Sequence, residues 1–309
     1  MFVENVMGHT ELDHVHDPRY FKQLDVDFDH ENGILWLFMK PQGRGCFTSG
    51  LLRELKRYQQ GLCKWGGYYL KNNELYPVKY EVLTSGRDGI FNYGGDLEFF
   101  LHAISMGDSD ALLKYGVACI DVVYPNAINY NLPITTTSLV CGDALGGGLE
   151  AALSSSIVIA ERGVQMGFPE IMFGLFPGMG AYQLLTRRIS RSLAKEIITS
   201  GNVYKAEEFH EMGLVDEIVD KGDGRNAMKT IIKKHRRHQN SFIAIDKIVE
   251  IENTLSYDDL YSVVEMWVET AINLSAKEIR VMERLARAQV QRTTNSRQAV
   301  DISHGKHAM

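Results

Sequence analysis

Hydrophobic residues change their spacing several times along the chain, and each change predicts a different element. Leu24, Val26 and Phe28 alternate with Asp25, Asp27 and Asp29, Asn32-Gly33 supplies turn chemistry, and an unbroken apolar run extends from Ile34 to Met39. Period two on both sides of such a turn predicts a hairpin within residues 20–41 that opens a sheet. Over residues 49–60 the apolar positions move to Leu51, Leu52, Leu55 and Tyr58, one face of a helix with Ser49 as its expected N-cap. Short β-branched runs at residues 80–83 and 134–140 alternate with helical stretches, the order expected of stacked ββα units in an α/β fold. Beyond Asp220 the strand pattern stops and polar, glycine-poor helical segments continue to about Ala299. The pattern divides the chain into a core over residues 20–220 and a helical C-terminal lobe over 221–299. Residues 1–17 and 300–309 lack periodicity and are expected to be flexible tails.

Composition narrows the class. At 309 residues, 45% hydrophobic and 23% charged, the chain can bury a core without staples. A formal charge of −6 argues against nucleic-acid binding, which needs a net basic surface. No apolar run approaches the ~18 residues that a membrane span requires. Four separated cysteines without a Cys-x-x-Cys pair fit reduced thiols in a cytoplasmic setting, and the acidic opening segment is unlike a secretory signal.

Glycines concentrate between Cys141 and Gly180. The run Gly142-Asp-Ala-Leu-Gly146-Gly147-Gly148-Leu-Glu150 reads as a turn from a strand ending at Cys141 into a helix. Two readings fit it: a turn packed tightly by glycine, or backbone N–H groups and a helix N-terminus presented to an anionic oxygen. A phosphate loop is excluded, because Leu149-Glu150 stands where Lys-Ser or Lys-Thr is needed, and Gly178-Met-Gly180-Ala-Tyr-Gln183 lacks the third glycine of a dinucleotide fingerprint. Glu150 complements the helix dipole in one reading. Glu170, after Pro169, is a capping acid in the same reading; in the other, two carboxyls in one apolar pocket have their pKa values pushed apart into an acid and a base. Phe91-Asn-Tyr-Gly94-Gly95-Asp96-Leu97 is a second strand-to-helix turn, and two such turns can each give one N–H to a single carbonyl oxygen.

With these motifs in order, the chain resembles the crotonase, or enoyl-CoA hydratase/isomerase, superfamily over about residues 34–219. The resemblance rests on Gly94-Gly95-Asp96-Leu97, the block from Gly142 to Glu150, Gly167-Phe-Pro-Glu170-Ile, Pro177-Gly178-Met-Gly180, and Ala206-x-Glu208 through Gly213-Leu-Val-Asp-Glu-Ile-Val219. It implies a crotonase-like stacked ββα superhelix, oxyanion donors at the N–H groups of Gly95 and Gly147, and an acid/base pair at Glu150 and Glu170. Within the superfamily, Gly94 to Phe100, Gly146 to Ser154, Phe173 to Tyr182 and the long segment from Lys64 to Pro77 are similar to the diffusible signal factor synthases, bacterial enzymes that make cis-2-unsaturated fatty-acid signals.

That likeness implies dehydration of a 3-hydroxyacyl thioester on an acyl carrier protein, or on CoA, followed by thioester hydrolysis, with no metal or other cofactor. It also implies a homo-oligomer and a sensor-kinase receiver domain as a partner. The alternatives are an enoyl-CoA hydratase or isomerase of fatty-acid oxidation and a crotonase-fold regulatory binding protein. Lesser signals have plainer readings. Ser192-Leu-Ala-Lys195 is a chance match to a nucleophile motif, His9, His14 and His16 belong to a solvated arm, and Lys233 to His238 is a solvated helix face that, like Arg53, Lys56 and Arg57, has the charge to steer an acidic carrier.

Overall fold

The computed structural model describes residues 20–40, 43–71, 74–237 and 239–305. The expected hairpin pairs β1 (Leu24–Asp29) with β2 (Ile34–Met39), antiparallel, Asp29 opposite Ile34. The helix that follows, α1 (Ser49–Lys64), starts one residue earlier than its pattern suggests: Thr48 is the cap, its side chain accepting from Leu51 N–H at 3.2 Å. It also continues one turn past Gln60, because Leu62 extends the buried face of Leu51, Leu52, Leu55 and Tyr58. The segment from Lys64 to Pro77 contributes its own two-stranded sheet, β3 (Tyr68–Lys71) with β4 (Glu74–Pro77), whose Tyr69 ring lies 4.8 Å from that of Phe28.

The next elements arrive in pairs, β5 (Tyr80–Ser85) with β6 (Gly89–Asn92), β7 (Thr135–Val140) with β8 (Gly142–Leu145), and β9 (Ile157–Glu161) with β10 (Gln165–Gly167). The first strand of each pair joins a six-stranded sheet of order β1-β2-β5-β7-β9-β12, where β12 is Glu217–Val219. The second joins a four-stranded sheet, β11-β10-β8-β6, with β11 at Val203–Lys205. Helices α2 (Leu97–Ser105) and α3 (Ser109–Ala127) follow β6, α4 (Gly147–Leu153) follows β8, and α5 (Ala181–Thr186), α6 (Arg191–Ser200) and α7 (Ala206–Glu211) follow β10 or β11. This is the stacked ββα superhelix that the alternation predicts.

The short strands β6, β8 and β10 escape the hydrophobic pattern. β8 occupies the start of the glycine block, so the strand expected to end at Cys141 is followed by another before the helix. Gly142 has no room for a side chain there, since a Cβ would overlap the Gly89 and Ile90 backbone of β6. β6 likewise separates the strand at residues 80–85 from the Gly94-Gly95 turn. In the small sheet β6, β8 and β10 are parallel neighbours, so whatever follows their C-terminal ends is gathered in one place.

The C-terminal lobe is helical: α8 (Gly224–Arg237), α9 (Gln239–Glu252), α10 (Tyr257–Ile272) and α11 (Ala276–Gly305). α11 carries on past the expected end near Ala299, through Gly305. The arm over residues 1–17 and the last four residues lie outside the described chain. α10 packs on α3, and α11 on α2 and on the 3-10 turn Pro169–Phe173, so the lobe is built onto the core. Among the described residues no helix is long and apolar enough to cross a membrane, and no cluster of three His, Cys, Asp or Glu side chains is placed to hold a metal ion.

Candidate active site

Gly95 follows β6, Gly147 follows β8 and Glu170 follows β10; the sheet order brings the three together although they are far apart in the chain. Gly146 leaves β8 with φ 53° and ψ −126°, a conformation that disfavours side chains, and so turns the chain sharply into α4. The two glycine turns touch: a Cβ on Gly94, itself at φ 84°, would stand 2.7 Å from the Gly147 nitrogen and 2.8 Å from the Leu145 oxygen. Among the described residues neither the Gly95 nor the Gly147 N–H donates to a backbone carbonyl, and Gly147, at the first position of α4, has no intrahelical acceptor. Both residues line a cavity of about 150 Å³.

Glu150 and Glu170 line the same cavity. Glu150, one turn into α4, is 1% exposed, and its Oε1 accepts from Met179 N–H at 2.8 Å and Ala181 N–H at 2.9 Å. Met179 belongs to the Pro177-Gly178-Met179-Gly180 loop and Ala181 opens α5 directly after it; the loop's glycines admit close neighbours, since a Cβ on Gly178 would meet the Trp267 ring at 2.6 Å. Glu170 lies in the 3-10 turn after Pro169, its carboxyl against Gly146, whose Cβ would sit 3.1 Å from Glu170 Cδ. Its Oε2 is sealed from solvent without a hydrogen-bond partner.

Burial pushes both carboxyls up, each to about 8. For Glu150 the Glu170 charge adds to burial, while the Met179 and Ala181 N–H groups oppose both. Two carboxyls at one cavity titrate as a pair, and with both pushed up to about 8 they are largely protonated at neutral pH. Glu150 Oε1 has two backbone donors that favour its anion, while Glu170 Oε2 is sealed without a partner.

The remaining walls are mostly apolar, with Phe47, Leu97 and Phe100 from the core, Val264 and Trp267 from α10, and Leu285 and Ala288 from α11 beside the polar Gln289. Sequence patterning gives no access to these, because they project from helices whose apolar faces look alike whether they cover a core or a ligand. The lesser candidates stand apart. Ser192 and Lys195 are exposed on α6, and Lys56 is tied to Asp121 at 2.7 Å while Arg57 covers the Tyr20 ring at 5.3 Å. Lys233 and Lys234 are exposed on α8, and the histidines of the N-terminal arm lie outside the described residues.

Gly95 and Gly147, whose N–H groups have no backbone acceptor among the described residues, line one cavity with Glu150 and Glu170, an arrangement whose groups are of the kind that can bind an oxyanion and move protons beside it. The chain belongs to the enoyl-CoA hydratase/isomerase family, the crotonase superfamily, whose model matches residues 76–253. Members of that family are typically lyases or isomerases. The peroxisomal bifunctional enzyme of Cavia porcellus is 32% identical over 154 residues, 50% of this chain and 20% of that protein, so the match spans about a fifth of the relative's length. Human mitochondrial delta3-delta2-enoyl-CoA isomerase shares the fold at a TM-score of 0.69 and 16% identity, covering 88% of this chain and 99% of that one. Pseudomonas aeruginosa DspI does so at a TM-score of 0.57 and 23% identity, over 75% of this chain and 88% of that one.

Proposed function

We propose that the protein dehydrates a 3-hydroxyacyl thioester carried by an acyl carrier protein and then hydrolyses the thioester, releasing a cis-2-unsaturated fatty acid as a signal. The observation that carries this reading is the retention of both glutamates, buried together in an apolar cavity beside the Gly95 and Gly147 N–H groups. The thioester oxygen accepts from those two amides, which acidifies the C2 proton. The ionised member of the pair takes that proton, the protonated member gives its own to the departing 3-hydroxyl, and the products are a 2,3-alkene and water. In the second step a carboxylate removes a proton from water as the water oxygen attacks the same carbonyl; the C–S bond breaks and the carrier thiol leaves protonated.

The apolar walls suit a fatty chain, and the hairpin formed by β3 and β4 occupies the segment that distinguishes the signal-synthase branch. The carrier protein, a receiver-domain partner, self-assembly and a cytoplasmic setting rest on resemblance; the exposed lysines of α8 offer a carrier a basic contact. The family match and the peroxisomal relative favour a second reading, reversible hydration of enoyl-CoA without release of acid. Incubation with 3-hydroxydecanoyl thioesters on acyl carrier protein and on CoA, followed by mass spectrometry, separates them. Free 2-unsaturated acid, cis at the double bond, is expected from the carrier-bound substrate; an enoyl thioester without free acid assigns the protein to hydration.

A further inference from the structure

Tyr115 lines the cavity from α3 and is 6% exposed. Its ring stacks on Phe99 at 5.2 Å and meets Phe100 edge-on at 5.0 Å, contacts that phenylalanine would make equally well. The hydroxyl is what packing leaves unexplained. It donates to the Phe47 carbonyl and accepts from the Asp96 N–H at 3.1 Å, which uses its donor and one acceptor position on backbone groups to either side of Gly95.

Phe47 and Gly95 form an isolated parallel bridge, and such a bridge has two rungs. One is the Phe47 N–H to the Gly94 oxygen at 2.8 Å. The second would run from the Asp96 N–H to the Phe47 oxygen, and there the Tyr115 hydroxyl is interposed. The next peptide is held by Arg44, which binds the Asp96 carboxylate at 2.8 Å, while Asp96 Oδ1 caps α2 through the Phe99 N–H at 3.2 Å. On the far side, the Gly94 N–H donates to Asn92 Oδ1 at 2.8 Å. The peptide that carries the Gly95 N–H is fixed through its Gly94 oxygen by the Phe47 N–H, and the peptide that follows Gly95 is held at the Asp96 N–H by the Tyr115 hydroxyl, from a side chain that also lines the cavity.

We infer that Tyr115 is a positioning residue for the oxyanion hole, its hydroxyl holding the 94–96 turn so that the Gly95 N–H faces the substrate carbonyl. This rests on the oxyanion reading of the site and adds to it a residue that touches the reacting atoms only through Gly95. Burial, with Cys119 and Cys46 adding to it, holds the phenol well above its usual pKa, so it stays a neutral donor throughout the working range.

The test is Tyr115→Phe, which keeps the ring contacts and removes the hydroxyl. Hydrogen–deuterium exchange across residues 93–97 reads positioning without reference to activity, and steady-state kinetics with 3-hydroxydecanoyl thioester reads the consequence. Faster exchange confined to this turn, with kcat reduced ~10- to 100-fold and KM within about twofold, is expected for a misaligned donor. Unchanged exchange overturns the inference. So does faster exchange with an unchanged kcat, or a rise in KM alone. Where the wild-type protein turns over neither carrier-bound nor CoA-bound substrate, the functional reading fails by itself and the exchange measurement decides whether Tyr115 anchors the turn.

Discussion

Replacing Glu170 with glutamine removes one of two carboxyls that burial holds protonated, and the consequence for stability has a definite sign. The folded pKa, about 8, lies above the unfolded value of 4.5. Between those values the folded state keeps a proton that the unfolded chain has already lost. Stability from this group is therefore complete below pH 4.5, falls across the interval, and is gone above 8. The slope is about 1.4 kcal/mol per pH unit for each such group. Between pH 5 and 8 the wild-type protein should lose on the order of 4 kcal/mol relative to Glu170→Gln, or about 8 °C in Tm at ~2 °C per kcal/mol. The relief is larger still if Glu150 ionises more easily once its neighbour is neutral. Thermal unfolding of both proteins at pH 5, 6, 7 and 8 measures this, and groups titrating elsewhere cancel in the difference. Parallel Tm curves would refute the reasoning, since they would mean that Glu170 is solvated or ionised in the folded state.

Other outcomes follow from the same geometry. Gly148→Ala places a Cβ against the Asn92 carbonyl, 2.7 Å from its carbon, and backbone on both sides leaves nothing to give; it should cost about 1–3 kcal/mol in a urea titration and displace the neighbouring Gly94-Gly95 turn. Gly147→Ala meets the flexible end of Met179 at 2.8 Å and should unfold within about 1 kcal/mol of the wild type. Glu81, buried in β5 beside Tyr58 and Tyr130 with its pKa pushed up to about 7 by burial, should lose stability across pH 4.5 to 7. Glu81→Gln should flatten that part of the Tm profile while leaving kcat at its wild-type value.

The ββα alternation, the opening hairpin and the helical lobe were legible because each is a long segment with one hydrophobic period. β6, β8 and β10 were not: they are three or four residues long, and glycine at Gly89, Gly142 and Gly167 takes the place of the side chains that would have signalled a strand. Those are the strands that gather the site. Its residues were still accessible, because Gly95, Gly147, Glu150 and Glu170 lie within motifs whose order along the chain resembles a family, whereas spacing alone left a packed turn and a capping acid equally open. The Glu150 donors, the Tyr115 hydroxyl and the walls from α10 and α11 had no such signal, since backbone N–H groups are invisible in a sequence and apolar helix faces look alike whatever they cover.

Single-turnover dehydration of 3-hydroxydecanoyl acyl carrier protein by the wild-type protein, Glu150→Gln and Glu170→Gln tests the paired-carboxyl account most directly. The wild type should form the 2-enoyl product, and each variant should be slower by at least ~100-fold. Wild-type rates in either variant would contradict it.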